Sequence, residues 1–399
     1  MTGSWLKPVT RKIIYLLCLL MLFLALLPGQ TQGQIHPEFN DEQYQESYEK
    51  ALVLEVKEEK EEEIEALQGK VIEQKVQVEV LSGPNKGKVL TAINTISGSA
   101  GFDLSLAPGD QVVIYIAEST TPNAEESVKT IYVSDRVRSP ALGWIVFIFA
   151  GLLLLIGRLQ GAKALFGLGV TVLGIYKILL PGLIAGKPPL PLTVVVLIGV
   201  TLITMISIAG FSQKALAATL GTLGGLLVAG WLACAFGDLA QLTGLATEEE
   251  RMLVYVENLN IDMRGLLFAG ILIGAVGAIM DVTMSVASAI SEVKKVNPDM
   301  KTTELIAAGM NVGRDIMGTM ANTLILAYTG GALPFMLLFM VYEMEPLRIV
   351  NWELIVTEII RALVGSIALV ISVPITAVIA GWLTAKTGRA RHRQVYPKI

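Results

Sequence analysis

Seven apolar stretches, near 141–157, 162–184, 190–211, 215–236, 265–290, 316–341 and 356–384, alternate with short polar loops over the last two thirds of the chain. Most are long enough to cross a hydrocarbon core of about 30 Å, and the first reaches that length with its flanks. An earlier apolar run, Ile13–Leu27, follows Lys7, Arg11 and Lys12. Its length suits a signal peptide or a short anchor, and the following LPGQTQGQ lacks a clear cleavage motif, so both readings stay open for residues 1–33. Between these apolar regions the chain is polar. Residues 34–70, with the glutamate-rich Asp41–Glu65, predict an acidic helix or linker, a solvated face rather than a site. Residues 71–138 read differently. Val76, Val78 and Val80 alternate with Gln77 and Glu79, the period of a half-buried strand. Turns at 83–88 and 106–111 separate strands at 89–96 and 112–117, and 129–133 adds a last one. The pattern predicts a small antiparallel, OB-like barrel. The fold class is therefore an all-α polytopic membrane protein, with seven transmembrane helices (139–385), an N-terminal signal or anchor helix, a small exported β-barrel-like domain and a basic cytoplasmic tail (386–399).

Composition agrees with several spans: the 399 residues are 53% hydrophobic and 17% charged. The net charge of −4 says little, because the charges are segregated. Arg158 and Lys163, then Lys214, then Lys294, Lys295, Lys301 and Arg314, fall in alternate loops, as does the tail with Lys386, Arg389, Arg391, Arg393 and Lys398. By the positive-inside rule these are cytoplasmic, and 34–138 lies outside a bacterial cell membrane. Cys18 and Cys234 both sit in apolar runs and form no disulfide framework. His36 and His392 stand alone in polar flanks. No HExxH, GxSxG or paired aspartates occur in the spans, so neither an enzyme, a cofactor nor a metal is expected. The β domain shows no aromatic stacking platform, which argues against nucleic acid. The expected partners are the lipid bilayer, a protein at the exported domain, and further copies of the chain.

Asp281 is the main functional lead. Positions 270, 274, 277, 281, 285, 288 and 292 read Gly, Gly, Gly, Asp, Ser, Ser, Glu, and their spacing puts them on one helical face. Leu267, Ile271, Leu272, Val276 and Ile279 occupy the others. A carboxylate at bilayer depth costs about 2.5–3.5 kcal/mol on insertion scales, so it is expected to face protein or water. At 1.5 Å per residue, Asp281 and Ser285 share a level near the cytoplasmic edge with Thr319 and Asn322 of the next span, an inner polar layer responsive to an ion or a proton. Lys177, Glu358 and Arg361 form an outer charged layer, with Glu358 pairing to Arg361 at i,i+3 or reaching Lys177. Arg361 lies about 15 Å from Asp281 in depth, too far to pair. The bland alternatives are close helix packing for the small residues and snorkelling for the long charged ones. Asn297-Pro298 breaks the fifth span, Thr302 or Thr303 caps an amphipathic surface helix, and Arg314 and Asp315 sit where the sixth helix enters the bilayer.

At Gly277-AIMDVTMSVASAISEVKKVNPDM, Gly309-MNVGRDIMGTMANTLILAYTGGALP and Glu358-IIRALVGSIALVISVPITA the chain resembles the YibE/F family of bacterial membrane proteins. The resemblance covers most of residues 70–385 and implies a multi-pass inner or plasma membrane protein. It implies no substrate. An Asp in a small-residue helix followed by a Thr-containing helix is also similar to the core of RND-type permeases and Sec accessory subunits. That likeness implies a proton-coupling role for Asp281, with Thr319 and Thr323 on the partner helix. The chain departs from it in having one acid rather than a pair. Together these readings point to a permease-like or export-accessory protein. The alternative is a non-transporting scaffold or sensor that docks a partner through its exported domain.

Overall fold

The computed structural model describes residues 44–64, 69–96, 103–119, 129–256 and 259–395. The predicted signal or anchor segment at 1–33, and residues 396–399 of the tail, lie outside them. The chain divides into a unit ending at Leu152 and a helical unit that follows.

The first unit is built on five strands: β1 (Tyr44–Ile64), β2 (Gly69–Val80), β3 (Val89–Ile96), β4 (Gln111–Ser119) and β5 (Lys129–Arg136). They close in the order β1-β2-β3-β5-β4. Only β3 and β5 run parallel among the neighbouring pairs, the Greek-key closure of an OB-type barrel. Alternate residues Val76, Val78 and Val80 on β2 and Val112, Ile114 and Ile116 on β4 fill the interior.

The acidic helix or linker expected at 34–70 is corrected: its described part is the barrel's longest strand. Its first half pairs with β4, from Tyr44↔Ser119 to Leu52↔Gln111, and its second half with β2, from Ala51↔Val80 to Ile64↔Gly69. Ala51 and Val53 point into the core while Lys50 and Leu54 point out. The helix preference of glutamate is weak, and pairing with β2 in a hairpin and with β4 at long range overrides it. One acid of this strand, Glu49, is buried. Asn85 donates to its Oε1 at 3.0 Å, and Lys88 donates to Asn85 Oδ1 at 3.1 Å. Gly83, with φ +81, makes room: a Cβ there would lie 2.6 Å from the Glu49 carboxyl carbon. The predicted turn at 83–88 is thus pinned from inside the barrel.

Two residues after β5 the first helix begins. Lys50 Nζ donates to Ser139 Oγ at 3.1 Å, tying β1 to that helix start. Asp135 accepts from Arg138 at 2.6 Å and from the Arg136 amide at 2.7 Å. These two partners, Arg138 foremost, hold its carboxyl below the usual aspartate range.

The helices are α1 (Ser139–Gly174), α2 (Leu180–Ile184) after a π-helical turn at Ile175–Leu179, α3 (Pro189–Ala209), α4 (Gln213–Leu239), α5 (Glu248–Val254), α6 (Met263–Val296), α7 (Thr302–Gly331), α8 (Leu333–Val341), α9 (Pro346–Val350) and α10 (Glu353–Val395). Arg158 interrupts α1 with φ 47 and ψ −126. A Cβ on Gly161 would lie 1.9 Å from the Leu153 carbonyl oxygen. Eight residues of unbroken helix would separate them by about 12 Å, so the chain turns sharply at Arg158. Among the described residues five helical stretches, Ser139–Ile184 counted as one, are long and apolar enough to cross a membrane. The pair α7 and α8, bent by 55°, makes a sixth if taken as one span. Gly330, Gly331 and Pro334 account for that bend.

Asn297-Pro298 ends α6 as expected, but the separate surface helix does not form. Residues 302–331 are one continuous helix, and neither Thr302 nor Thr303 caps it. Glu304 instead reaches back to the Lys301 amide at 2.8 Å. The predicted tail begins inside α10, which runs on to Val395.

The bundle closes where α4 meets α6 and α10. A Cβ on Gly221 would lie 1.9 Å from Thr376 Oγ1, and one on Gly225 2.9 Å from Ile279 and 3.1 Å from Ser372. Bare backbone at these two positions sets the approach, as in small-xxx-small packing of membrane helices. Thr222 and Thr283 hydroxyls meet at 2.8 Å across the same seam. At its other end α10 is fastened by Glu353, which accepts from Thr243 Oγ1 at 2.8 Å, while Arg264 pairs with Asp238.

Gly221→Leu should destabilise the detergent-solubilised protein by at least about 1–3 kcal/mol through overpacking, whereas Gly277→Ala, which meets nothing within 4 Å, should leave the melting temperature nearly unchanged. Arg138→Gln should raise the Asp135 pKa toward the ordinary aspartate range in a carboxyl NMR titration. The sign is that of a depressed acid: its stabilisation is present above the unfolded pKa and is lost as pH falls through the folded one. The variant, with its folded pKa moved toward the unfolded one, should therefore lose less stability on acidification than the wild type.

Candidate functional site

On α6 the packing separates two faces. Leu267, Ile271, Leu272, Val276 and Ile279 are buried against the bundle. Gly270, Gly274, Gly277 and Asp281 are exposed on the other side. Asp281 thus points away from the α4 and α10 seam, within the expectation that it faces protein or water. The physical reason is steric: α4 offers glycines to the large apolar residues of α6, so those residues take the interior. Among the described residues Asp281 has no hydrogen-bond or ion-pair partner.

α7 runs antiparallel beside this face. A Cβ on Gly274 would lie 2.2 Å from Tyr328 Oη, and one on Gly309 would lie 2.4 Å from Ile290. Between these two contacts Asp281 is level with residues 318–321. The inner group therefore shares a depth, with Thr319 and Asn322 exposed and Ser285 half-buried. It does not share hydrogen bonds. Thr319 donates to the Ile316 carbonyl at 2.9 Å and Thr323 to that of Thr319 at 2.9 Å, both within their own helix.

The outer group is partly assembled. Arg361 and Glu358 pair at 2.6 Å on α10, each about a quarter exposed. Lys177 does not join them; its ammonium lies over the Tyr176 ring, 5.2 Å from the centroid. Gly365 packs against Ala275. Counting from that contact along both helices separates Arg361 from Asp281 by about 15 Å in depth. At the start of the apolar part of α7, Arg314 donates to Asn311 at 3.3 Å and Asp315 is exposed. No cluster of His, Cys, Asp and Glu among the described residues is placed to hold a metal ion.

Sequence reasoning missed two arrangements. Tyr328 sits over Gly274, which the GxxxG spacing of Gly270 and Gly274 hints at but does not identify. The other is on the barrel, where the expected lack of an aromatic platform is corrected. Tyr48 of β1 stands opposite Tyr115 of β4, and Tyr115 opposite Tyr132 of β5. The first two rings lie 5.2 Å apart. Glu46 accepts from the Tyr115 hydroxyl, pushing its pKa up. Residues so distant in sequence become neighbours only through register.

The YibE/F-like protein family matches residues 145–386, and the YibE/F family N-terminal domain matches residues 43–132. No curated protein and no solved structure matches the chain.

Gly274→Ala should displace Tyr328 and destabilise the α6–α7 pair by about 1–3 kcal/mol. Tyr328→Phe in the same background should recover part of that loss. A thermal-melt double-mutant cycle checks the coupling.

Proposed function

The chain belongs to the YibE/F family, and we propose that it is a permease-like or export-accessory protein in which Asp281 responds to an ion or a proton. The observation supporting this reading is the placement of an unpaired carboxylate on a glycine-lined face of a membrane-length helix, level with Thr319 on α7. Such a group in a bilayer needs water, a cation or a proton, which is the requirement of a coupling residue. Gly270 and Gly277, where a Cβ would meet nothing within 4 Å, leave space on the same face for small species. Thr319, Asn322 and Ser285 supply polar atoms at or near the same depth. Nothing in this reading calls for a catalytic step.

The same proposal takes the α1 turn at Arg158 as a loop between two crossings, giving seven in all. Basic loops then alternate with acidic ones, which puts the barrel outside a bacterial cell membrane and the C-terminus in the cytoplasm.

The test is proton flux into proteoliposomes that contain an entrapped pH-sensitive dye, under an imposed pH gradient. Asp281→Asn should abolish flux while the melting temperature and elution profile stay those of the wild type. Unchanged flux in a folded Asp281→Asn protein overturns the coupling role. Loss of cellular function on removing the barrel, with Asp281→Asn tolerated, favours the scaffold reading instead.

A further inference from the structure

The tyrosine row on the barrel lies on one particular face. Tyr48, Tyr115 and Tyr132 project outward from β1, β4 and β5, and Tyr48 and Tyr132 are 65% and 41% exposed. The next row along these strands contains Lys50, opposite Val113. Lys50 is the residue whose ammonium bonds Ser139, the first residue of α1. The tyrosines therefore stand one row, about 7 Å, from the barrel's link to a helix of membrane-spanning character. That helix turns apolar at once: Leu142, Trp144, Ile145 and Phe147 are all exposed. The opposite face, on β2 and β3, presents Glu73, Lys75, Gln77, Glu79, Thr91 and Thr95, the surface of a solvated sheet.

We propose that the β1–β4–β5 face of the barrel rests on the lipid headgroups of the leaflet that α1 enters, with Tyr48, Tyr115 and Tyr132 as its interfacial anchors. Tyrosine has an apolar ring and a polar tip, and it concentrates at the boundary between hydrocarbon and water. Three in a cross-strand row, beside the start of a spanning helix, provide that chemistry over three adjacent strands. A headgroup layer fits the site better than a soluble ligand, because the short link from Arg136 to Ser139 keeps this face near the membrane surface. The proposal rests on α1 crossing the bilayer, and the experiment separates the two claims.

The full chain, with Cys18→Ser and Cys234→Ala, is given single cysteines for an environment-sensitive fluorophore and reconstituted in phosphatidylcholine vesicles. Val113→Cys and Ala117→Cys flank the tyrosine row, Gln77→Cys marks the opposite face, and Ile148→Cys marks α1. Nitroxide on the lipid headgroup should quench the label at 113 and 117 severalfold more than at 77. Nitroxide on the acyl chain should quench the label at 148. Replacing all three tyrosines by serine should lower quenching at 113 and 117 while the circular dichroism spectrum is kept. Quenching at 148 but equal, weak headgroup quenching at 113, 117 and 77 overturns the proposal alone. No quenching at 148 overturns the crossing as well. Labels at 113 and 117 shielded from both lipid nitroxide and aqueous iodide mean that a protein surface covers the face, which also overturns it.

Discussion

α6 has two faces, and the bundle can satisfy only one of them. Its large apolar residues demand a partner with little volume, and α4 supplies Gly221 and Gly225 at that crossing. Lipid tails are as apolar as leucine, so the gain comes from close backbone approach and from dispersion rather than from expelling water. Once that crossing is set, α10 is drawn into the same seam through Ser372 and Thr376, and the position of α7 follows from Gly309 and Gly313 against Ile290 and Val286. The polar stripe of α6 is left outward as a consequence.

The hydroxyl groups of the seam fit the same logic. Thr222 and Thr283 bond each other, and Thr222, Thr376 and Ser372 also bond carbonyls of their own helices. A buried hydroxyl can be satisfied by the preceding turn, so it travels into a helical core at little cost. A carboxylate has no such local escape, because the helix offers it carbonyls and no free N–H groups. That difference separates Thr283 from Asp281, two positions apart on one helix.

Much of this was legible in the sequence, and the exceptions have physical causes. The alternation at Val76, Val78 and Val80 and the two turns placed β2, β3 and β4, because period-two burial is a local signal. β1 was hidden, since its glutamates suit a helix and its strand character rests on pairing with β2 and β4, the latter 59 to 75 residues away. The stripe on α6 is grouped by spacing alone, whereas the helices its other faces meet depend on where α4 offers glycine. The pairing of Glu358 with Arg361 needed only one helix and was readable. The row of Tyr48, Tyr115 and Tyr132 needed a closed barrel and its register.

Asp281 and Arg361 show how depth can decide chemistry. In a soluble core an unpaired acid and a nearby arginine would be natural partners. Here Arg361 is already committed to Glu358, and about 15 Å of helix separates it from Asp281. Neutralising Asp281 by a fixed positive charge is therefore closed to this fold among its described residues. Protonation, a mobile cation, water or an external surface is left to serve. On the proposed reading, an acid whose charge is balanced by something that comes and goes is the responsive group.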